Sequence, residues 1–425
     1  MNEERKRRIQ IELEDMHTTL MFFVRWSIYS LIAGLIGGAL GASFLYLINA
    51  VTALRGRESW LLLCMPLAGL LIVFLHVVYR ERGNKGTNIV LDSVTKGTPV
   101  DKPIAPLIYI STILSHLVGA SVGREGAALQ IGGGLGDFLG RRLRFDEKDR
   151  KLAVMAGMSA VFAAVFGTPV AAAVFPIEVI SVGIMHFSAL VPCIFSSFIA
   201  YEFAGMLGAE YEHFAVSGIP VFGASPVLRL ILLGILCGIL ARLFCFMLHA
   251  ADHLYSRLTK GPYVRILLAS VIFIALTLLV RTDLYMGSGT VLIERAIAGE
   301  EIPYAAFFLK MVFTAIALGG KFKGGEIVPT LCIGAAFGWL FGTLTGFSPS
   351  LCAACGMAAL FVGVTNCPMA TLLISLELLS TEAMPFYSIV IAVSYCFSGY
   401  ASLYQSQRIM YSKTKLSFIN FRKEG

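Results

Sequence analysis

Long apolar segments constrain the fold of this chain more than any other feature of its sequence. Mostly apolar residues occupy 26–52, 60–78, 227–250 and 264–280. Each segment supplies the roughly 17–25 residues that a helix needs to cross a bilayer. Only 14% of the residues are charged, against about 25% in soluble proteins. We therefore predict an all-α integral membrane protein that crosses the cell membrane several times.

The basic residues near the two ends predict the orientation. Segment 1–25 has no apolar core followed by a cleavage site, so we expect no cleaved signal peptide. Basic clusters at 5–8 and 408–423 predict that both termini face the cytoplasm. We assign 1–25 as a cytoplasmic segment and 406–425 as a basic cytoplasmic tail. The net charge of +7 fits such membrane-flanking faces better than it fits nucleic-acid binding.

The histidines and cysteines do not predict a metal site. Cys352 and Cys355 form a lone pair, which is half of a four-ligand set. His249 and His253 stand four residues apart on one expected helix face, but a third ligand is missing from the pattern. We predict packing roles for all four residues, no metal, no cofactor and no enzymatic activity.

The chain contains an internal duplication. Segment 128–140 aligns with 330–342 and shares two apolar residues and three glycines with it, and segment 156–181 aligns with 355–380. The second alignment pairs Glu178 with Glu377 and also matches a glycine and a proline. Both alignments have an offset close to 200 residues. We therefore predict a membrane domain over 26–405 built from two repeats, approximately 26–210 and 225–405.

Glycine-rich stretches with charged residues mark the same position in both repeats. Duplicated halves with interrupted apolar segments indicate a secondary transporter whose site lies near the bilayer midplane. The stretches 123–126 and 319–325 predict helices that begin inside the membrane, where free N–H groups and the helix dipole bind anions. Arg124, Glu125 and Glu326 lie at these breaks. An ionisable group at that depth costs about 2.5–3.5 kcal/mol, so we expect these groups to be functional.

Three motifs resemble the CLC family of anion channels and anion/proton antiporters. They are GREGAALQIGGGLGDFLG at 123–140, FGTPVAAAVFPIE at 166–178 and GGKFKGGEIVPTLCIGAAFG at 319–338. The resemblance implies the CLC fold of two inverted-topology repeats with broken helices. It also implies a homodimer with a pore in each subunit. The chain ends soon after the last helix, so we expect no cytoplasmic nucleotide-binding (CBS) domains.

The resemblance also assigns roles to individual residues. Glu125 matches the gating glutamate, whose carboxylate competes with the bound anion and moves aside when protonated. Tyr404 matches the tyrosine whose hydroxyl faces the central anion. Thr87 or Asn88 replaces the serine that contacts this anion, and both side chains can donate hydrogen bonds. The other expected anion-site positions are Gly123, Arg124, Gly126, Gly325, Ile327 and Val328.

Two departures from the common chloride pattern resemble the bacterial fluoride/proton antiporter branch. Val179 stands where chloride/proton antiporters have an inner acid, and GGEIVP replaces the usual GGxFxP and introduces Glu326. Val328 departs from that branch, which typically has threonine there. Glu125 and Glu326 are expected to flank one site and to titrate as a coupled pair. A neutral carboxylic acid can donate a hydrogen bond to a small, hard anion such as fluoride.

We predict a halide/proton antiporter that exports fluoride, or exchanges chloride, against protons. Its partners are the halide, protons, the lipid bilayer and a second copy of the chain. A passive chloride channel is the alternative, because Glu125 is compatible with either function. A remote alternative is an intramembrane aspartyl protease, based on GLGD at 134–137, but the second aspartate that such a site requires is missing.

Overall fold

A computed structural model describes residues 3–79 and 86–421. Residues 80–85, which precede Thr87 in the sequence, and the last four residues of the basic tail lie outside the description. The described residues form sixteen α-helices, three short 3-10 helices and three short strands. The helices are α1 (Glu3–Arg57), α2 (Met65–Val78), α3 (Asn88–Lys96), α4 (Ile104–Leu117), α5 (Glu125–Arg142), α6 (Glu147–Phe166), α7 (Pro169–Val179), α8 (Leu190–Met206), α9 (Ala224–Leu258), α10 (Pro262–Val280), α11 (Thr290–Ala298), α12 (Ala306–Gly319), α13 (Ile327–Thr345), α14 (Pro349–Thr365), α15 (Pro368–Leu378) and α16 (Met384–Phe397). The 3-10 helices are Ser59–Cys64, Phe187–Ala189 and Thr381–Ala383, and the strands are β1 (Ser181–Val182), β2 (Arg408–Tyr411) and β3 (Phe418–Phe421).

The membrane-spanning prediction is confirmed by helix length and composition. Within the described ranges, six helical segments are long and apolar enough to cross a bilayer. They include the four apolar segments of the sequence analysis. The first helix differs from the expectation because α1 begins at Glu3 and runs to Arg57 without interruption. No glycine or proline occurs before Gly34 to end it, and a helix of 55 residues is longer than the roughly 30 Å hydrocarbon core requires.

The two repeats appear in the structure as two matching groups of three helices, α5–α6–α7 and α13–α14–α15. Glycines hold the first two helices of each group at close range. A Cβ atom on Gly132 would lie 2.2 Å from the carbonyl oxygen of Gly157. The equivalent Cβ on Gly334 would lie 2.4 Å from the carbonyl oxygen of Gly356. Because any larger side chain would force these backbones apart, the glycines shared by the repeats serve helix packing.

Each repeat also caps a helix of the other repeat through a glutamate. Glu178, near the end of α7, accepts hydrogen bonds from the backbone N–H groups of Met369 (3.1 Å) and Ala370 (2.8 Å) at the start of α15. Glu377, near the end of α15, accepts two 2.8 Å bonds from the start of α7. The carboxylates satisfy N–H groups that a helix leaves open, at the positive end of its dipole. The glutamate shared by the repeat alignment therefore joins the two halves.

The basic tail forms a small sheet, which the sequence analysis did not predict. β2 pairs in parallel with β1, and β3 pairs antiparallel with β2. Just before β2, the buried Gln407 donates hydrogen bonds to the carbonyl oxygens of Val179 (2.9 Å) and Thr365 (2.7 Å). The first part of the predicted tail, from 406 to 421, is therefore docked on the ends of α7 and α14.

Candidate functional site

The two predicted helix breaks meet in the interior of the protein. Gly123 and Gly325 exchange two backbone hydrogen bonds of 2.7 Å in an antiparallel bridge. These glycines occupy equivalent positions in the two repeats, so an antiparallel pairing is what an inverted repeat requires. A Cβ on Gly325 would lie 2.4 Å from the backbone nitrogen of Gly126. Glycine at this position lets the starts of α5 and α13 lie side by side.

Both helices begin inside the protein, as the sequence predicts. Arg124 precedes α5 and Glu326 precedes α13, and neither of these two side chains caps the helix that follows it. Their first N–H groups therefore remain available to an anion. Arg124 and Glu326 are equivalent positions in the repeats. The duplication has thus placed a cation at one helix start and a carboxylic acid at the other.

The Glu326 carboxyl group and the Thr87 hydroxyl lie against the backbone of Gly126. A Cβ on Gly126 would lie 3.2 Å from Oε2 of Glu326 and 3.4 Å from Oγ1 of Thr87. Both oxygen atoms are buried, and neither has a hydrogen-bond partner within the described part of the chain. The space beside Gly126 is therefore bounded by glycine backbone, a carboxyl group and a hydroxyl group.

Two further buried polar atoms lie near this space without a partner among the described residues, namely Oη of Tyr404 and Oε1 of Gln130. Tyr404 is 1% exposed, and its hydroxyl is within electrostatic range of Glu326. Gln130 donates a 3.1 Å hydrogen bond to the carbonyl oxygen of Gly126. An unpaired buried polar group costs about 1–3 kcal/mol. Four such atoms around one space indicate a site that a polar ligand or water completes.

The structure distinguishes the roles of Thr87 and Asn88. The Asn88 side-chain oxygen accepts a 2.8 Å hydrogen bond from the backbone N–H of Ser406. Asn88 thereby fixes the loop that carries Tyr404, while the Thr87 hydroxyl faces Gly126. Thr87 borders the space beside Gly126, and Asn88 lines the cavity that contains Glu326.

The Glu125 carboxylate contacts Arg124. Its Oε2 accepts a 3.1 Å hydrogen bond from the Arg124 backbone N–H, and its Oε1 lies 3.3 Å from the Arg124 Nε. Glu125 is completely buried. The Arg124 guanidinium also contacts Asn49 and Glu212, each at 3.3 Å. Arg124, which was expected at the anion site, therefore uses its side chain to hold the gating candidate.

Ile327 and Val328 contribute buried apolar side chains at the start of α13, 0% and 5% exposed respectively. Val328 lines a small cavity of about 10 Å³ together with Arg124 and Glu212. This volume is close to the space that one water molecule occupies. Val328 has no hydroxyl group, so it gives this wall an apolar surface beside Arg124 and Glu212.

A cavity of about 630 Å³ leads to the site from one face of the protein. Gln130 and Glu326 line its inner part, and Ser406 places its mouth beside the docked tail. Lys96 and Lys321 line its partly exposed rim. Lys96 is paired with Asp92 at 2.5 Å and Lys321 with Asp252 at 2.7 Å, and both aspartates line the same cavity, so these two lysines do not by themselves give the mouth a positive charge. The cavity offers an anion a route to Glu326.

The aspartyl protease alternative finds no support at Asp137. This buried carboxylate contacts Arg141 at 2.7 Å and Arg150 at 3.3 Å, and it accepts a 3.0 Å hydrogen bond from the backbone N–H of Val100. A protease dyad needs a second carboxyl group that shares a proton, whereas these partners are arginines. Within the described ranges, histidines, cysteines and acidic residues form no cluster of three or more that could hold a metal ion.

The sequence analysis missed Gln130 and Glu212. Gln130 lies four residues after Gly126 on the same helix face, and a polar residue in that small-residue helix was a usable signal. Glu212 lies 88 residues from Arg124 in the chain. It belongs to the loop between α8 and α9, and no local pattern in the sequence connects the two residues.

Comparisons with known proteins agree with this architecture. Residues 80–399 match the family described as voltage gated chloride channel. A protein named chloride/fluoride channel protein from Pseudomonas syringae pv. tomato is 32% identical over 403 residues, which cover 93% of this chain and 88% of the relative.

Solved structures show the same relationship. The crystal structure of a CLC-type fluoride/proton antiporter has a TM-score of 0.87 and 30% identity, and the match covers 91% of this chain and 98% of the other. A slow cyanobacterial Cl⁻/H⁺ antiporter has a TM-score of 0.76 at 18% identity, and the match covers 88% of this chain and 94% of the other. The second match shows the shared fold. Together with the paired helix breaks, these matches show that the chain is an integral membrane protein of the voltage-gated chloride channel (CLC) family.

Proposed function

We propose that this protein is a secondary transporter that exports fluoride in exchange for protons, and that it is not an enzyme. The Glu326 carboxyl group carries the proposal. It lies at the start of α13 with a buried, unpaired oxygen facing Thr87 and the Gly126 backbone. A carboxyl group there can be a proton carrier and, when protonated, a hydrogen-bond donor to an anion.

The site favours fluoride for a chemical reason. Fluoride is small and strongly hydrated, so a protein must replace its water with close hydrogen-bond donors. The Thr87 and Tyr404 hydroxyls, the first N–H groups of α13 and a protonated Glu326 are such donors around one space. The relative named chloride/fluoride channel protein and the fluoride/proton antiporter structure support this choice of anion.

Proton exchange follows from two carboxyl groups at adjacent helix starts. When Glu326 is ionised, its charge occupies the space that an anion would fill. When Glu326 takes up a proton, the negative charge leaves the site and fluoride can enter. Glu125, held by Arg124 at the start of the neighbouring helix, is the second proton carrier. Because both carboxylates repel the same anion, each movement of fluoride is linked to a protonation step.

We also propose a homodimer with both termini in the cytoplasm. The basic residues near the ends support this orientation, and it makes the 630 Å³ cavity the cytoplasmic route to Glu326. CLC membership supports the dimer. Light scattering of the purified protein, corrected for detergent, tests the assembly: a mass near twice 46.0 kDa is expected, and a monomer would contradict it.

Reconstituted vesicles test the transport reaction. Vesicles loaded with fluoride and diluted into fluoride-free buffer should take up protons as fluoride leaves, and chloride-loaded vesicles should show much slower efflux. Fluoride release with no proton uptake, and no response to an imposed pH gradient, would identify a passive channel instead. Glu382→Gln, which changes an exposed glutamate, serves as the charge-matched control for variants at Glu326.

A further inference from the structure

A second acidic residue approaches the gating candidate from the face opposite the cavity. Glu212 lies in the loop between α8 and α9. The segment Phe187–Met206 is long enough to cross the membrane, and it begins close to β1, which pairs with the docked tail. One crossing later, Glu212 therefore lies on the other side of the membrane from the tail and the cavity mouth.

Glu212 shares the Arg124 guanidinium with Glu125. The Arg124 Nη2 lies 3.3 Å from Oε1 of Glu212, and the Arg124 Nε lies 3.3 Å from Oε1 of Glu125. Asn49 accepts from the remaining nitrogen, Nη1, at 3.3 Å. The exposed fractions of the three ionic side chains rise outward, from 0% for Glu125 through 11% for Arg124 to 36% for Glu212. The guanidinium thus connects a buried carboxylate with one that solvent reaches.

We propose that Glu212 is an outer positioning residue that sets how firmly Arg124 holds Glu125. This inference rests on the proposed transport function. The two carboxylates compete for one cation, so the charge of Glu212 weakens the attraction between Arg124 and Glu125. Glu125 can then leave the guanidinium at a useful rate during each cycle. Without that charge, Arg124 attracts Glu125 more strongly and the cycle slows at the step in which Glu125 moves.

Two further ionisable residues lie near the cluster of Glu212, Arg124 and Glu125. Besides Arg124 and Glu125, Glu212 faces Glu294 on α11, and the buried His116 on α4 is within electrostatic range of Arg124. Glu294 repels Glu212, and a protonated His116 would repel Arg124. Neither group can replace Glu212 as an anionic partner of the guanidinium in the observed arrangement.

Glu212→Gln tests the proposal because the amide keeps the shape and the hydrogen-bond acceptor but removes the charge. An ion pair of this exposure is worth up to about 1 kcal/mol, or about fivefold. We expect fluoride turnover at neutral external pH to fall by about that factor. We also expect a lower apparent KM for external anion, because the outer entrance becomes more positive.

Acidic external buffer should restore the turnover of Glu212→Gln, because a protonated Glu125 no longer pairs with Arg124. Glu212→Asp, which restores the charge, should recover most of the rate at neutral pH. Glu210→Gln is the matched control, since Glu210 is exposed in the same loop and is not one of the partners of Arg124 described above.

The outcomes separate this proposal from the proposed function. If wild-type protein exchanges fluoride for protons and Glu212→Gln matches Glu210→Gln at every pH, the role of Glu212 is wrong and the transport function stands. A loss of turnover in Glu212→Gln that acidic external buffer does not relieve would also overturn it, because it would indicate a purely structural role. If the wild type shows no proton-coupled fluoride transport, the function itself fails.

Discussion

Replacing Glu178 by glutamine should destabilise the protein far more than an exposed substitution does. The Glu178 carboxylate is 6% exposed and accepts two backbone hydrogen bonds at the start of α15. A hydrogen bond to a charged acceptor contributes about 1.5–3 kcal/mol, and a neutral one about 1 kcal/mol. Glutamine keeps one neutral bond and turns its own N–H₂ toward the other N–H group. The expected loss is therefore about 2–5 kcal/mol.

Thermal denaturation in detergent measures this loss. With the usual unfolding entropy of about 2.1 cal/mol/K per residue, a chain of 425 residues should lose about 2–6 °C in its denaturation midpoint. Midpoints of membrane proteins depend on the scan rate, so all variants require one heating protocol. Glu382→Gln, on an exposed glutamate, should leave the midpoint within about 1 °C.

Because Glu178 and Glu377 each cap a helix of the other repeat, the stability of their single and double variants can be compared. Glu377 is less deeply buried than Glu178, so Glu377→Gln should cost less. The helix that Glu178 caps also carries Glu377, so weakening one contact disturbs the other. The double variant should therefore cost less than the sum of the two single variants. A Glu178→Gln midpoint equal to that of Glu382→Gln would show that the Glu178 carboxylate does not stabilise α15, and strict additivity would show that the two caps are independent.

Three further predictions concern the candidate anion site and the buried ion pairs of Asp137. Gly126→Ala should abolish fluoride efflux from vesicles, because the new Cβ would lie 2.7 Å from the Gly325 Cα and 3.2 Å from Oε2 of Glu326. Size-exclusion chromatography should show that the variant remains folded. Retained efflux would place the anion elsewhere. Tyr404→Phe should raise the apparent KM for fluoride several-fold with a smaller change in turnover, and an unchanged KM would remove Tyr404 from the site. Asp137→Ala should cost about 3–5 kcal/mol in thermal stability, since it leaves Arg141 and Arg150 without their shared carboxylate, and a midpoint equal to wild type would contradict that role.

The membrane-spanning helices and the two helix breaks could be predicted from the sequence because both depend on local composition. Long apolar segments have few ways to satisfy their backbone other than helices. Glycines beside charged residues inside such segments mark where helices begin. The alignment of 128–140 with 330–342 has an offset of 202, and the same offset relates Gly123 to Gly325, which form the bridge between the two helix breaks.

Contacts between distant segments could not be read from the sequence. The alignment identified Glu178 and Glu377 as equivalent, but it could not show that each caps a helix of the other repeat. The tail strand β2 has ordinary composition and docks on β1, more than 220 residues earlier in the chain. Glu212 reaches Arg124 only because α8 returns the chain to that face. Each of these features depends on tertiary packing, which leaves no periodic pattern.

The sequence and the structure give different information about Val179. The resemblance to the CLC family places Val179 where chloride/proton antiporters have an inner acid. The structure shows that the backbone of Val179 binds Gln407 of the docked tail, so polar contacts here are structural. Any proton that crosses this protein is therefore expected to use Glu125 and Glu326, whose helices meet at the glycine bridge.

Proton uptake driven by a fluoride gradient, measured in parallel for wild type and Glu326→Gln, decides whether Glu326 carries protons at the anion site. In wild-type vesicles, outward fluoride movement should acidify the lumen, and chloride should replace fluoride poorly. Glu326→Gln keeps the size of the side chain but cannot carry a proton, so proton uptake should stop even if some fluoride still leaks. Unchanged proton uptake in Glu326→Gln, with Glu382→Gln as control, would contradict the assignment of Glu326 as a proton carrier at the anion site.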